Sequence, residues 1–153
     1  MAEYNNGEKL FNEEHHGVEV TIKRMPNGEM RYRITHLATG LVTSITSTVE
    51  GGSGWQNSHK HRLGLAEHYC IQQGWVLLAT QNLDEVKYQL FKKAASFSIY
   101  SHSPHNLYVS SGTVFQTVKF GSTGNGKDFE PCPELDTYLA QQKIEDILAS
   151  LRR

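Results

Sequence analysis

Two histidines separated by one residue, followed by a glutamate and a glycine, constrain this chain more than any other feature of its sequence. The run is His59-Lys60-His61, then five residues to Glu67 and six more to Gly74. Histidines at positions i and i+2 of a β-strand lie on the same face, because side chains alternate faces with a period of two. Glu67 can return to that face on the next strand of a hairpin. Two imidazoles and a carboxylate placed this way can hold a divalent metal with coordination positions left open, so a metal site is the leading hypothesis.

The composition is typical of a single folded domain with a real hydrophobic core. The 153 residues include 38% hydrophobic and 20% charged residues, which argues against a disordered or membrane-embedded chain. Fifteen basic and sixteen acidic residues give a formal net charge of −1, without the basic block that a nucleic-acid binder carries. No apolar run is long enough to span a membrane. We therefore expect neither a nucleic-acid partner nor a membrane partner.

The N-terminal residues and the cysteines indicate a cytoplasmic protein. Residues 1 to 16 are too polar for a secretory signal. Cys70 and Cys132 are the only cysteines, and they could in principle form a disulfide. Two isolated thiols in a chain without an export signal are more often reduced, so we expect free thiols and a cytoplasmic location.

Short alternating runs separated by turn signals predict an all-β region from residue 17 to residue 121. Apolar and polar residues alternate over 18–23 and again over 30–35, with a Pro-Asn-Gly turn at 26–28 between them, which predicts a hairpin. Further strands are predicted at 41–49, 67–72, 75–80, 86–91, 96–100, 106–110 and 113–120. Strands this short and frequent, with no helix between them, are typical of a sandwich or a closed barrel.

The two ends of the chain differ from this β region. Residues 1 to 16 are predicted to form an N-terminal extension that is ordered by contact with a partner subunit. After a loop at residues 122 to 128, a single helix with one apolar stripe is predicted from about Glu134 to Leu151, covering one opening or flank of the barrel. The predicted organisation is therefore an extension (1–16), a barrel (17–121), and a loop with a helix (122–153).

The segment from His59 to Gly74 resembles the first motif of the cupin superfamily, which is His-x-His, three or four residues, Glu, six residues, Gly. The first gap here is five residues, and the glycine that precedes the motif falls one residue late, at Gly54. The resemblance implies a small single-domain cupin, an all-β double-stranded β-helix (jelly-roll) barrel with an added C-terminal α-helix. It also implies dimerisation through edge strands, with the N-terminal extension as a candidate swapped strand. We therefore expect a homodimer.

The second cupin motif would supply a further metal-binding histidine, and residues 106 to 120 resemble it in outline without that histidine. Spacing from Gly112 places the missing ligand at Phe115 or Gln116. The even positions from 114 to 120 form a mostly apolar face, so Gln116 is expected to point inward and to serve as the fourth ligand. The alternative is a hydrogen-bonded amide in the core. The metal that the resemblance implies is a divalent transition ion: Fe, Mn, Ni or Zn.

Four further side chains are assigned to inward positions and are predicted to contact a ligand. They are Tyr32, His36, Tyr69 and Tyr88. Tyrosines at inward positions are more often core residues, and a histidine at a strand end is more often structural. A tyrosine hydroxyl near the metal could nevertheless donate a hydrogen bond or a proton.

Strand periodicity also predicts which residues around Glu67 face the interior. Glu67, Tyr69 and Ile71 are expected inside, which places His68, Cys70 and Gln72 outside. Two other histidines, His102 and His105, are expected in a loop, although either could approach the mouth of the site.

Two classes of function follow. The first is a metal-dependent enzyme acting on a small molecule, with His59, His61, Glu67 and Gln116 holding an ion that serves isomerase, lyase or dioxygenase chemistry. The second is a non-catalytic cupin that binds a small ligand at a degenerate metal site, which the missing fourth histidine favours. His59 and His61 could also be ordinary hydrogen-bonded residues on a wet barrel face. The sequence has no phosphate loop and no nucleophile elbow, and it identifies no catalytic acid or base.

Overall fold

A computed structural model describes residues 7–49, 52–62, 64–100, 102–121 and 129–152. This part of the chain forms thirteen strands followed by two helices. The strands are β1 (Glu8–His15), β2 (Val18–Arg24), β3 (Met30–His36), β4 (Val42–Ser47), β5 (Gly54–Trp55), β6 (His59–His61), β7 (Ala66–Gln73), β8 (Trp75–Asn82), β9 (Glu85–Lys92), β10 (Ser96–Tyr100), β11 (His105–Val109), β12 (Val114–Phe120) and β13 (Phe129–Pro131). The helices are α1 (Pro133–Ala140) and α2 (Ile144–Leu151). The predicted loop at residues 122–128 lies outside the described residues.

The strands form two antiparallel sheets that face each other. The larger sheet has the order β1-β2-β3-β4-β12-β7-β10, and the smaller has the order β13-β6-β11-β8-β9, with β5 paired to β11. Neighbours such as β12 and β7 are far apart in sequence, so the chain crosses repeatedly between the two sheets. This arrangement is the predicted all-β jelly roll, followed by C-terminal helices.

Apolar side chains fill the space between the sheets at one end of the interior. The buried cluster consists of Tyr69, Ile71, Val76, Leu78, Ile99, Leu107, Val109 and Phe115. Strand β8 is buried on both faces, because Val76 and Leu78 point into this cluster while Ala79 points toward the helices. The apolar run at 75–80 therefore behaves as the central strand that its composition predicts.

Gly74 makes the tight connection between β7 and β8 and can only be glycine. Its φ is +75°, in the left-handed region, and a Cβ there would lie 2.3 Å from Thr113 Oγ1 and 2.8 Å from Thr113 Cα. The glycine of the sequence motif thus has a structural role: it lets the strand that carries Glu67 turn directly into the central strand.

The half of the larger sheet formed by β2 and β3 is polar inside and apolar outside. The residues that line the interior cavity are Glu19, Thr21, Lys23, Arg31, Arg33 and Thr35. The alternate positions point outward, and two of them, Tyr32 and Ile34, are 45% and 41% exposed. The predicted inward orientation of Tyr32 and His36 is therefore wrong, because both alternate with the cavity-lining residues of β3.

Both chain ends differ in detail from the sequence-based expectation. Residues 8–15 of the predicted extension form β1, which pairs with β2 of the same chain at the edge of the larger sheet. C-terminal helical structure is present as predicted, but it is divided in two, because α1 ends near Gln141 and Lys143 adopts an extended conformation before α2. The backbone N–H groups of Gln141 and Gln142 bond to carbonyls only three residues back, which closes α1. The division of the chain at residues 16 and 121 stays a prediction.

The helices pack on the outer surface of the smaller sheet. Leu135 and Leu139 of α1 are each 1% exposed and contact Ala79 of β8, and Ile147 of α2 is also buried. Among the described residues, no helix is both long and apolar enough to cross a membrane. Both cysteines are free thiols, as expected, and Cys70 is exposed on the outer face of β7.

The inward face of β12 can be tested with a pair of neighbouring substitutions. Phe115 is 2% exposed in the core, whereas Gln116 is partly exposed and lies opposite Cys70 and Ile45, which are both exposed. Phe115→Ala should therefore lower the free energy of unfolding by about 3 kcal/mol, as other large-to-small core changes do. Gln116→Ala should cost about 0.5 kcal/mol or less. Urea denaturation of the metal-free proteins measures both, and a larger loss from Gln116→Ala would contradict this register.

Candidate metal centre

Three strands bring four potential metal ligands to one point inside the barrel. His59 and His61 come from β6, Glu67 from β7 and His105 from β11. Their nearest ligand atoms all lie within 4.8 Å of one another. Strand pairing explains the convergence, because His105 lies directly opposite His59 in the β11–β6 register. Three of the four are buried, and His59 is partly exposed.

Backbone carbonyls set the orientation of two of the imidazoles. His59 Nδ1 lies 2.7 Å from the carbonyl oxygen of Asn57, and His105 Nδ1 lies 2.9 Å from that of Ser103. A carbonyl can only accept, so in each ring Nδ1 carries the proton and Nε2 keeps a free lone pair. Metal-ligating histidines commonly use this second hydrogen bond to fix the tautomer and the ring orientation.

Two buried ring nitrogens of this cluster, His61 Nδ1 and His105 Nε2, have no hydrogen-bond partner among the described residues. His61 Nε2 and Glu67 Oε1 are in direct contact with each other. Buried polar groups are normally satisfied, so converging imidazole and carboxylate atoms with so few partners call for a cation. The donor set fits a divalent metal.

The protonation states of these groups also suit a metal. Burial, together with the nearby His105 and His61, lowers the pKa of His59 to about 3, and burial lowers the pKa of His105. Burial alone would raise the pKa of Glu67, but its contact with His61, the charge of Lys119 and the Tyr69 hydrogen bond hold that pKa well below its usual value. Neutral imidazoles and an ionised carboxylate are the forms that bind metals, so no proton has to leave these groups at neutral pH.

A second layer of hydrogen bonds holds the ligands in place. The Tyr69 hydroxyl donates to Glu67 Oε2 at 2.7 Å, and burial followed by the Glu67 charge raises the pKa of Tyr69. Between the two ligand strands, the Asn106 side chain donates to the hydroxyl of Ser58 at 3.0 Å. The backbone N–H of Ser58 in turn donates to Asp136 of α1 at 2.8 Å. The helix therefore supports the segment that leads into the histidine strand.

A cavity of about 410 Å³ opens beside the cluster. His59, His61 and Glu67 form part of its wall, and the polar faces of β2 and β3 form the opposite part. The volume is within the range of small-molecule pockets. A ligand in this cavity would reach the metal position directly.

The structure brings the motif residues together but leaves out Gln116. On β12, Thr117 lies opposite Tyr69 and Lys119 lies opposite Glu67, and residues directly opposite each other share a face of the sheet. Because Glu67 and Tyr69 are inside, the odd positions of β12 are inside as well, and Gln116 points outward. The expected inward orientation of Gln116 is wrong. The expected orientation of β7 is confirmed, since Glu67, Tyr69 and Ile71 are buried and His68, Cys70 and Gln72 are exposed.

His105 takes the place in the cluster that sequence analysis gave to Gln116. It was expected in a loop, but it is the first residue of β11 and is 1% exposed. A usable signal was present: His105, Leu107 and Val109 share one face, and the last two belong to the core. Starting the predicted strand at residue 105 instead of 106 would have placed this imidazole inside.

The other predicted ligand-binding residues separate into two groups. Tyr69 lines the cavity and contacts Glu67. Tyr88 does not line it: this residue of β9 packs with Leu135, Leu139 and Ala79 beneath α1. Tyr32 and His36 are likewise not among the described residues that line the cavity, because they point outward from β3.

The ligand assignment predicts opposite outcomes for two substitutions. His105→Ala should weaken binding of a divalent transition metal by more than the roughly 10–100-fold loss typical of changes outside the ligand shell. Gln116→Ala should leave the affinity unchanged, because its side chain is on the other face of β12. Titration of metal-free protein, with elemental analysis for the expected one ion per chain, measures both. Equal affinities for wild type and His105→Ala would remove His105 from the ligand set.

Solved structures share this architecture, although no family model and no curated protein matches the sequence. A variant of Bacillus subtilis oxalate decarboxylase is 14% identical with a TM-score of 0.60, over 97% of this chain and 35% of that chain. KdgF from Halomonas sp. is 11% identical with a TM-score of 0.50, over 64% of this chain and 83% of that one. Hydroxypropylphosphonic acid epoxidase from S. wedmorenis is 16% identical with a TM-score of 0.50, over 66% and 55%. The chain spans about a third of the oxalate decarboxylase chain. All three proteins are cupins, and this chain has the cupin fold.

Proposed function

We propose that this protein is a metal-dependent enzyme that acts on a small molecule at a single divalent ion. His59, His61, Glu67 and His105 are the proposed ligands. The observation that carries the proposal is the convergence of four ligand atoms, three of them on buried residues, beside an open cavity. A purely structural metal site is normally closed by its protein ligands, whereas a catalytic site keeps access for substrate.

The proposed ligand set leaves room for a substrate to bind the ion. Three imidazole nitrogens and one carboxylate oxygen fill four positions, so an ion that prefers six ligands keeps two for substrate or solvent. When bound, the metal would act as a Lewis acid that polarises a substrate oxygen or would support dioxygen chemistry. Lyase, isomerase and dioxygenase reactions all use such a centre.

The surrounding residues would hold the site in the state that this chemistry needs. Tyr69 remains protonated because its pKa is raised, so it can keep donating to Glu67 and fix the carboxylate. Lys119 lies opposite Glu67 on β12 and lines the cavity, where it adds positive charge beside the metal position. Phe129 packs edge-on to His59, at 5.8 Å between ring centroids, and covers one side of the cluster.

Among the candidate ions, we favour manganese or iron. Imidazole ligands suit Fe, Ni and Zn, while the carboxylate and an open octahedral site suit Mn and Fe. The similar oxalate decarboxylase is described as having Mn(II) centres. A non-catalytic ligand-binding cupin is the alternative function, but its support from the sequence was the missing fourth histidine, and His105 now occupies that place.

Metal-dependent turnover is the test of the proposed function. Metal-free protein loaded separately with Mn, Fe, Co, Ni or Zn is incubated with a panel of sugars, sugar acids and small carboxylic acids. Mass spectrometry follows substrate loss, and an oxygen electrode separates dioxygenase from lyase or isomerase chemistry. We expect turnover that chelation abolishes and the metal restores.

Two variants serve as controls for that assay. Glu67→Gln replaces the negative ligand with a weak amide, so it should weaken metal binding and lower turnover even when the remaining three imidazoles are loaded with metal. Glu85→Gln makes the same change at an exposed position on β9 and should be active. Ligand binding without turnover at every metal would favour the non-catalytic alternative.

We also propose that the protein is a cytoplasmic homodimer. The support for dimerisation is an apolar surface on the outside of the larger sheet, where Phe11, Tyr32, Ile34 and Ile45 are each about 40% exposed. Phe11 lies opposite Ile22, Ile22 opposite Tyr32, and Tyr32 opposite Ile45, so the apolar residues are contiguous across four strands. Contiguous apolar patches of this kind commonly mark protein interfaces, and β1 lies at the edge of the patch.

Substitution in this surface should dissociate the dimer. Tyr32→Glu introduces a charge at the centre of the patch, and we expect light scattering after size exclusion to give the monomer mass. Leu83→Glu is the matched control, because Leu83 is 89% exposed in the β8–β9 turn of the other sheet. A wild-type protein that is monomeric at high concentration would contradict the proposed homodimer.

A further inference from the structure

The cavity wall opposite the metal position carries a row of cationic side chains. Lys9 of β1 lies directly opposite Lys23 of β2, and Lys23 lies directly opposite Arg31 of β3. Arg33 follows two residues later on the same face of β3. All four line the cavity. The row therefore crosses three adjacent strands on the cavity side of the larger sheet. Lys9 is exposed there, and the other three cations are partly buried.

The positive charges of this row lie close enough to repel one another. Like charges at directly opposite positions of neighbouring strands repel one another. The effect is visible at Lys23, whose pKa is lowered by burial and then by the positive charges of Arg33, Lys9 and Arg31, with only Glu19 acting in the other direction. Repulsion of this kind is relieved when an anion binds between the charges.

Among the described residues, the cations that line the cavity outnumber the carboxylates that line it. Five cationic side chains line the cavity, against two carboxylates, Glu19 and Glu67. Arg31 is also paired with the fully buried Glu29, at 3.1 and 3.2 Å. Lys119 continues the positive potential from the row toward the metal position, where it lies opposite Glu67. A bound divalent ion would make the cavity more positive still.

We propose that the cavity binds a small acid with two separate anionic groups, one held at the metal and the other at the row formed by Lys9, Lys23 and Arg33. The inference rests on the proposed function for the first group only. The row itself is a property of β1 to β3 and does not depend on the ion. A second carboxylate, a phosphate or a phosphonate would satisfy it equally, because each accepts hydrogen bonds from lysine and arginine.

The row and the metal position are separated along the sheet, which calls for a ligand with two separate groups. β3, which carries Arg33, is three strands from β7, roughly 14 Å along the sheet, and β2 and β1, which carry Lys23 and Lys9, are one and two strands further. Lysine, arginine and the metal ligands all extend from the strands into the cavity, and they shorten the gap that the ligand has to bridge. A neutral sugar of the same size would leave the excess positive charge of the cavity in place, and an acid with a single anionic group would satisfy one end only.

Calorimetry of the metal-loaded protein with matched acids tests the two-point binding. Succinate and adipate carry two carboxylates, and butyrate and hexanoate have the same lengths with one. We expect at least one dicarboxylate to bind roughly tenfold or more tightly than its partner, as the gain of one charge-assisted contact implies. Lys23→Met and Arg33→Met should each remove most of this preference while the metal content stays at the wild-type value.

Lys92→Met is the matched control, since Lys92 is an exposed lysine at the end of β9 in the other sheet. It should keep the full preference. Thermal melting of the metal-free proteins distinguishes ligand binding from a structural role of the row. Lys23→Met should melt at the wild-type temperature or above it, because the substitution removes like-charge repulsion. A clear loss of stability in Lys23→Met would mean that the row holds the fold together, and would overturn the proposal.

Inorganic phosphate and metal-free protein separate this inference from the proposed function. Phosphate should stabilise metal-free wild type and Lys92→Met, and this effect should be lost in Lys23→Met and Arg33→Met. If the protein holds no metal but shows this phosphate pattern, the proposed function fails and the anion site stands. If dicarboxylates and monocarboxylates bind equally and phosphate has no effect, the anion site is overturned whatever the metal content.

Discussion

The pairing of β7 with β12 is the constraint on which both the core and the metal centre depend. Its register puts Phe115, Thr117 and Lys119 on the same face as Ile71, Tyr69 and Glu67. A slip of one residue would move Glu67 into solvent and His68 into the barrel, because side chains alternate. A buried carboxylate is costly unless positive or hydrogen-donating groups surround it, and here His61, Lys119 and the Tyr69 hydroxyl do so. This part of the hydrophobic core and the position of Glu67 are therefore fixed by one set of backbone hydrogen bonds.

Only the local part of the site could be predicted from the sequence. His59, His61 and Glu67 follow from a period of two along single strands, which a sequence displays directly. His105 joins them through strand pairing between β11 and β6, and no local pattern reports that pairing. The error at Gln116 has a different cause. Sequence periodicity shows that a strand alternates, but the assumption that its apolar side faces inward fails where the interior is a wet, charged cavity.

The same reasoning explains why the fold class was easier to predict than its details. Every strand alternates whichever side is inside, so the reversed faces of β2 and β3 still indicate a hairpin, and the Pro-Asn-Gly turn between them forms as expected. The break between α1 and α2, in contrast, is not indicated by any turn sequence. No glycine or proline occurs between Gln141 and Lys143, and the break lets Ile147 be buried, which is a tertiary effect. Tertiary packing commonly overrides helix propensity in this way.

The barrel interior is divided between a dry half and a wet half, and this division bears on how the site can work. Ligand strands β7 and β11 share the dry apolar core, and the segment before β6 is fixed to α1 by the Ser58–Asp136 hydrogen bond. Rigid supports of this kind hold ligand atoms in one arrangement, which a metal site requires. In the wet half, on β1 to β3, charged side chains line the interior in place of apolar ones. The space between the sheets is therefore not filled there, and it leaves volume for a ligand. The positive side chains of that half repel one another, and the same charges make the cavity positive.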